Sequence, residues 1–130
     1  MNRTELIKYA NNLYKSNRFL ALPLRTCKAQ ILETDVNGIY LLRSYNTIVA
    51  IFSSRTGSMY VFDRYSQTTY QHIYKFAHDM EVDRIVWLYK RSDRVVETAI
   101  SWHANTLKTL SYSIIESCDW AINIEQSTWK

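Results

Sequence analysis

The sequence predicts an α+β fold in one domain, residues 1–130, and three observations carry this expectation. Short runs rich in β-branched and aromatic residues, separated by turn signals, occupy residues 27–63, as in an antiparallel sheet. On either side, at 4–16 and 67–79, apolar residues recur at three- and four-residue steps, as in amphipathic helices. With only 2 Gly and 1 Pro in the chain, no linker is marked.

The first helix is predicted from Thr4, its N-cap, to about Ser16. The residues of its apolar stripe are Leu6, Ile7, Ala10, Leu13 and Tyr14. The segment 19–24 (FLALPL) that follows is strongly apolar, so we expect a connector that packs against the sheet rather than a solvated loop.

Four strands are expected to follow as an antiparallel meander in chain order. Asn37-Gly38 lies between two apolar runs and is the strongest short-range signal for a hairpin, because both residues tolerate positive φ. A polar loop that ends in Gly57 predicts the third turn of the meander in the same way. The strands are expected at about 27–34, 39–44, 47–52 and 58–63.

The strand TIVAIF (47–52) has no polar face. Simple alternation places Ile48, Ala50 and Phe52 on one side of the sheet, and Val49 and Ile51 on the other. A sheet with one solvated face would alternate apolar and polar residues instead. We therefore expect both faces to be covered, either by helices or by a second subunit.

The central helix is predicted at about 67–79. Ser66 is a good N-cap, because its hydroxyl can accept a hydrogen bond from an amide of the first turn. Acidic residues from Asp79 onward are unfavourable at a helix C-terminus, so the helix is expected to end between residues 77 and 80. Its buried stripe is expected to comprise Tyr65, Thr69, Ile73, Phe76 and Met80.

The C-terminal third is predicted to be mainly helical after a fifth strand at about 82–91. Ser92 is a plausible N-cap, and the apolar residues from Val95 to Leu107 have helical spacing. Residues 111–126 fit either a helix or a strand, and the helix is favoured.

Two stretches stand out, 44–50 (SYNTIVA) and 65–76 (YSQTTYQHIYKF). They resemble a group of small, functionally uncharacterised proteins of bacteriophages and plasmids of low-GC Gram-positive bacteria. The resemblance implies an origin in a mobile genetic element, and small proteins of that origin often inhibit host defence machinery. The residues that carry it are Ser44, Tyr45, Asn46, Thr47, Val49 and Ala50, then Tyr65, Ser66, Thr68, Thr69, His72, Lys75 and Phe76.

The net charge of +4 is concentrated near the N-terminus, where residues 1–28 contain six basic residues and one acidic residue. Lys8, Lys15 and Arg18 could form a phosphate-facing patch, and 10 Tyr and 4 Trp could stack bases. The simpler reading is the solvated side of an ordinary amphipathic helix. A nucleic-acid-binding accessory or regulatory protein is therefore the alternative function.

No catalytic or metal motif is present. His72 and His78 are six residues apart, on different faces of one helix, so they cannot share a metal ion there. His72 is best explained as a histidine at the edge of the core, satisfied by a backbone carbonyl or a nearby threonine. Cys27 and Cys118 are too few for a disulfide scaffold, and free thiols are favoured over a bridge between them.

These features favour a non-enzymatic binding protein without cofactor or metal, in the host cytoplasm and away from membranes. The resemblance to mobile-element proteins implies the most concrete version, an inhibitor of a host CRISPR nuclease such as Cas9. We expect it to act by protein–protein contact, because a basic chain is a poor mimic of DNA. A homodimer is a further option. The candidate binding residues are Arg43, Tyr45, Asn46, His72, Lys75, Lys8, Lys15 and Arg18.

Overall fold

The computed structural model describes residues 3–15, 19–23, 28–63, 65–88, 94–103 and 106–116. One helix precedes the first strand, and a second helix interrupts the strands at the middle of the chain. The elements are α1 (Arg3–Lys15), β1 (Phe19–Pro23), β2 (Ala29–Thr34), β3 (Ile39–Ser44), β4 (Thr47–Ser53), β5 (Ser58–Val61), α2 (Gln67–Asp79), β6 (Arg84–Trp87), β7 (Arg94–His103) and β8 (Thr106–Glu116).

The eight strands form one sheet in which each strand pairs with its neighbours in the sequence. Every pairing is antiparallel except β5 with β6, which are parallel. Parallel neighbours need a long crossover connection, and α2 supplies it. The α+β class is confirmed, and the predicted meander is confirmed as β2 to β5.

The two helices cover opposite faces of the sheet, as the two-sided apolar pattern of β4 predicted. On one face, Ile73 and Phe76 of α2 pack with Val49, Ala50 and Phe52. On the other face, α1 packs on the sheet through two buried residues of its apolar stripe, Leu6 and Ala10.

A β-bulge changes the predicted parity of β4. The register with β3 shifts so that Leu42 faces Ala50 while Arg43 faces Ile48, which leaves Val49 as the additional residue. Val49 and Ala50 therefore both lie on the α2 face, and Ile48 joins Ile51 on the α1 face. The simple alternation predicted for this strand was wrong at both Ile48 and Val49, because a bulge is not visible as a change of composition.

Helix α2 begins and ends where its sequence predicts. The Thr69 amide donates to the Ser66 hydroxyl at 3.3 Å, which confirms Ser66 as the N-cap. The helix ends at Asp79, and the Val82 amide beyond it donates to the Ala77 carbonyl at 2.9 Å. Neither helix of the described residues is long and apolar enough to cross a membrane.

The segment 19–24 contains a strand rather than only a connector. β1 pairs with β2 from Phe19 opposite Thr34 to Pro23 opposite Gln30. Proline lacks an amide hydrogen and is tolerated in sheets mainly on edge strands, and β1 lies at the edge of the described sheet. The apolar character that predicted packing against the sheet is therefore used for pairing with it.

The prediction of a mainly helical C-terminus is wrong for the described residues. The expected fifth strand is present as the shorter β6, and β7 and β8 then form a hairpin that extends the sheet. Both strands are rich in β-branched residues, and the open edge of β6 offers a ladder of backbone hydrogen bonds. Strand pairing of β7 with β6 and β8 thus outweighs the helical spacing of the apolar residues from Val95 to Leu107. Ser92, Cys27, Cys118 and residues 117–130 lie outside the described residues.

Candidate functional site at the β3–β4 turn

The turn between β3 and β4 consists of only Tyr45 and Asn46. Tyr45 has φ of 55°, in the left-handed region that non-glycine residues rarely adopt. Its amide donates to the carbonyl of Lys28 at 2.6 Å, which ties the turn to the residue before β2. The tyrosine side chain nevertheless remains 45% exposed. A strained backbone here presents an aromatic ring to solvent.

On the α2 side, a chain of buried hydroxyl groups and one imidazole supports the turn. The Ser44 hydroxyl lies 2.9 Å from Nδ1 of His72 and 3.1 Å from the Thr69 hydroxyl. The Thr69 hydroxyl in turn accepts from the N-cap Ser66 at 3.3 Å. The ring of His72, which is buried, lies 5.9 Å from that of Tyr45 in a tilted arrangement. This side of the turn is therefore rigid and polar inside the fold.

On the α1 side, Arg43 organises the turn. One terminal nitrogen of its guanidinium donates to Oε1 of Gln30 at 3.0 Å, and the other donates to Oδ1 of Asn46 at 3.1 Å. The guanidinium also lies over the ring of Tyr14 from the last turn of α1, 5.9 Å from its centroid. Its Nε is buried and has no hydrogen-bond partner. Helix, sheet and turn therefore meet at this one side chain.

Next to Asn46, a cleft of about 280 Å³ lies between α1, the start of β4 and the segment before α2. Arg3 closes one end, since its Nε donates to the carbonyls of Phe62 at 2.8 Å and Leu88 at 3.1 Å. The lining residues are Arg3, Ile7, Asn11, Tyr14, Asn46, Thr47, Ile48, Phe62, Asp63 and Tyr65.

Tyr65 is the titratable group of this cleft that is most strongly perturbed. Burial, together with the nearby Asp63 carboxylate, raises the pKa of Tyr65 to about 12, although the Arg3 guanidinium acts in the opposite direction. Arg3 itself forms an ion pair with Asp63 at 3.5 Å. At neutral pH the Tyr65 phenol is therefore uncharged and can act as a hydrogen-bonding group. The ion pair of Arg3 with Asp63 beside it carries no net charge.

The eight candidate residues predicted from the sequence do not form one site. Arg43, Tyr45, Asn46 and His72 are brought together at the turn. Lys75 lies further along α2 and pairs with Asp79 at 3.1 Å. Lys8 and Lys15 lie on the exposed side of α1, and Arg18 lies outside the described residues.

Sequence reasoning missed three residues that contribute to the turn: Tyr14, Gln30 and Lys28. The Nζ of Lys28 lies 5.9 Å from the centroid of the Tyr45 ring, and its carbonyl accepts from the Tyr45 amide. The helical pattern of the N-terminal segment identified Tyr14 only as a member of the apolar stripe. The β2–β3 register places Gln30 opposite Arg43. The predicted hairpin would have given this pairing if its register had been followed along both strands.

The Ser44 hydroxyl and the His72 imidazole behind the turn are both buried. Ser44 and His72 have the separation of a nucleophile and its base, but Ser44 is only 2% exposed, so a substrate cannot reach its hydroxyl. Within the described part of the chain, no three His, Cys, Asp or Glu side chains are grouped to hold a metal ion. What faces solvent is an aromatic ring, an amide and part of a guanidinium.

The fold and the site define a small α+β protein with a helix on each face of one mixed sheet and a strained, aromatic turn at the end of strand β3. Residues 8–94, well over half of the chain, match the family described as "Family of unknown function (DUF8033)", and the chain belongs to that family. No curated protein and no solved structure matches the chain.

Proposed function

We propose that this chain is a non-enzymatic binding protein that engages a protein partner through the β3–β4 turn. Its most concrete form is a protein from a mobile genetic element that inhibits a CRISPR nuclease such as Cas9 in the host cytoplasm. The resemblance to small phage and plasmid proteins supports that origin. The observation that carries the binding role is the exposed ring of Tyr45 on a left-handed backbone.

A left-handed conformation costs a non-glycine residue about 1–2 kcal/mol, which glycine would avoid. Partial burial of the ring offsets some of this cost, but 45% of Tyr45 remains exposed and available to a partner. Strained residues of this kind cluster at functional sites, where the surrounding structure holds them in place. Here the Lys28 carbonyl and the rings on either side hold the turn.

The residue types at the turn are those that dominate protein interfaces. Tyrosine and arginine are enriched among the few residues that contribute most of the binding energy. Tyr45 lies in the turn and Arg43 lies two residues earlier, near the end of β3. Both side chains are held by contacts within the fold. Preorganised anchors lose little side-chain entropy on binding, which favours affinity.

Contact with a protein surface is favoured over imitation of DNA. A DNA mimic needs a dense negative surface, whereas this chain has a net charge of +4. An inhibitor of this charge acts by covering a functional surface of the nuclease or by blocking a movement that the nuclease needs.

Nucleic-acid binding is the second candidate, and one observation favours it. Lys8 and Lys15 are both exposed and seven residues apart on α1, so they share its solvent side. Affinity for a double-stranded oligonucleotide that falls steeply with salt, and that is lost in the double variant Lys8→Gln/Lys15→Gln, would favour this function.

Affinity capture with a matched pair of variants tests the proposed function. Tyr45 and Tyr74 are exposed large hydrophobic residues within 28–88, at 45% and 42% exposure, and each ring lies near another ring. The wild type, Tyr45→Asn and Tyr74→Asn are used as bait in host lysate, with and without nuclease treatment. Asparagine tolerates the left-handed region, so the turn is preserved.

We expect a protein partner that is retained after nuclease treatment, lost with Tyr45→Asn and kept with Tyr74→Asn. DNA cleavage by purified Cas9, with each bait added, tests the specific version. Equal capture by both variants, or capture that disappears on nuclease treatment, would contradict the proposal.

A further inference from the structure

Arg43 differs from Arg3 and Lys75, because the groups that contact it among the described residues are all neutral. They are the side-chain amides of Gln30 and Asn46, at 3.0 and 3.1 Å, and the face of the Tyr14 ring. No Asp or Glu of the described residues lies within ion-pair distance of it. Arg3 is by contrast paired with Asp63, and Lys75 with Asp79.

A partly buried guanidinium without a counter-ion is unfavourable, because burial removes water while the charge remains. Arginine stays protonated in proteins and carries five N–H donors. Only two of those donors are used here, and the one on Nε is buried without a partner. The hydrogen bond from Arg43 to Asn46 is exposed, so the outer end of the guanidinium is accessible to a ligand.

The guanidinium is also held in one orientation. The amide of Gln30 on β2 and that of Asn46 in the turn fix its edge, and Tyr14 of α1 supports its face. A planar, immobilised guanidinium is well suited to a carboxylate, which it can bind with two parallel hydrogen bonds. The contacts that immobilise Arg43 come from three different elements, so its position depends on the completed fold.

We propose that Arg43 anchors a carboxylate of an acidic protein segment, so that the partner bound at the β3–β4 turn carries Asp or Glu next to the pocket for Tyr45. This rests on the proposed function and adds the chemistry of the partner. Two exposed lysines add positive charge: Lys28, whose Nζ lies over the Tyr45 ring, and Lys15, which follows Tyr14 at the end of α1.

An acidic protein segment is favoured over nucleic acid by the number of charges available. Proteins that bind nucleic acid strongly neutralise roughly six to ten phosphates. Of the described residues, three cations belong to the turn or to the ends of the elements that contact it: Arg43, Lys28 and Lys15. Arg3 is directed to backbone carbonyls inside the fold, and Arg84 to the Ser58 hydroxyl. Three cations match a short acidic stretch better than a phosphate chain.

A defined probe tests this inference: a hexaglutamate peptide titrated into the full chain at low salt, followed by ¹H–¹⁵N NMR. The matched variants are Arg43→Gln and Arg55→Gln, which remove the same charge from opposite ends of β4. Losing a charge-assisted hydrogen-bonded pair is expected to weaken hexaglutamate binding about tenfold in Arg43→Gln. We expect less than a twofold change in Arg55→Gln, and the amide spectra verify that both variants are folded.

A second variant keeps the charge and removes the planar fork. Arg43→Lys is expected to bind hexaglutamate about threefold more weakly than the wild type, because lysine retains the Coulombic attraction but not the bidentate geometry. If Arg43→Gln does not fold, this variant alone decides: wild-type affinity in Arg43→Lys would overturn the proposal.

Two results would overturn it directly. Equal weakening by Arg43→Gln and Arg55→Gln would show general attraction to a basic chain. Binding of a hexathymidylate, lost in Arg43→Gln and tighter than that of hexaglutamate, would assign the site to nucleic acid. A captured partner that depends on Tyr45 but not on Arg43 would overturn this inference and leave the proposed function intact. Independence from both residues would contradict the proposed function itself.

Discussion

Strand β4 lies between two turns, and each turn contains a residue with a left-handed backbone. The two residues are of opposite types. The turn to β5 contains Gly57, with φ of 71°, whereas the turn from β3 contains Tyr45, with φ of 55°. At Gly57 the reason is steric as well, because a Cβ there would overlap a carboxylate oxygen of Asp83. We refer to the two as the glycine end and the tyrosine end of β4.

We interpret the difference as one between the requirements of folding and those of the proposed binding function. At the glycine end, the residue with the lowest conformational cost is present, as it is at Gly38 in the β2–β3 turn with φ of 84°. Glu81, with φ of 51°, follows the end of α2, where left-handed residues are common. Among the residues that the structure describes, Tyr45 alone has neither explanation, and it also exposes a large ring to solvent.

The largest expected effect belongs to the glycine end. Gly57→Ala adds a Cβ that would lie 3.1 Å from the Asp83 Cβ and closer still to its carboxylate, on a left-handed backbone. We expect the free energy of unfolding to fall by about 3 kcal/mol, since strain and steric overlap add. Urea unfolding of the purified variant measures this change.

Gly38→Ala is the matched control for that measurement. Its Cβ would approach the Ser54 hydroxyl at 2.9 Å, which is the end of a small side chain that can rotate away. We expect a loss of about 1 kcal/mol, from the left-handed backbone alone. Equal losses in the two variants would show that the close approach of Asp83 to Gly57 contributes nothing.

The support beneath the tyrosine end gives the next effect. His72→Ala removes the imidazole that bonds the buried Ser44 hydroxyl and contacts the Tyr45 ring. We expect a loss of about 2 kcal/mol, because a buried hydrogen bond and packing are lost together. His78→Ala on the same helix is the control, since His78 is half-exposed, and it is expected to change stability by less than about 0.5 kcal/mol. A His72 variant as stable as the His78 variant would remove this residue from the account of the turn.

A smaller, pH-dependent effect is expected in the cleft beside the tyrosine end. Burial raises the pKa of Tyr65 to about 12, so between pH 10 and 12 the unfolded chain loses this proton while the folded chain keeps it. The stabilisation is therefore complete below about pH 10 and is lost as the pH rises towards 12. Tyr65→Phe cannot lose this proton, so its stability should decline less than that of the wild type between about pH 8 and about pH 11.

Unfolding in urea at those two pH values measures the difference, and absorbance of tyrosinate follows the ionisation. An identical alkaline decline in wild type and Tyr65→Phe would show that Tyr65 titrates in the folded protein as it does in the unfolded chain.

Local signals predicted the parts of the fold that local interactions decide. Asn37-Gly38 marked the β2–β3 hairpin, and Ser66 marked the start of α2, because a turn and a cap need only nearby atoms. The two-sided apolar pattern of β4 predicted a sheet covered on both faces, which follows from burial alone.

Long-range pairing decided the parts that the sequence predicted wrongly. β7 contains helical spacing as well as β-branched residues, and its pairing with β6 and β8 decides in favour of a strand. β1 likewise depends on the edge of β2, which no signal within residues 19–24 reveals. The bulge at Val49 depends on the register between two strands rather than on the residue itself.

The candidate site was predicted in part for the same reason. Arg43, Tyr45 and Asn46 are consecutive or nearly so, and the predicted meander already placed them in a turn. Tyr14 reaches the turn only because α1 packs across the sheet, and the left-handed backbone of Tyr45 has no signature in residue type. Sequence patterns therefore locate the turn, whereas its strain and its arginine support emerge from the folded chain.

The most direct test of the tyrosine end is the free energy of unfolding of Tyr45→Gly, measured in urea alongside capture of the partner. Relief of left-handed strain, about 1–2 kcal/mol, offsets the greater chain entropy of glycine, about 0.5–1 kcal/mol, and part of the ring contacts with His72 and Lys28 that are lost. We therefore expect stability within about 1 kcal/mol of the wild type and loss of the partner. A fall of more than about 2 kcal/mol, with capture retained, would show that the ring of Tyr45 is present for the fold and not for binding.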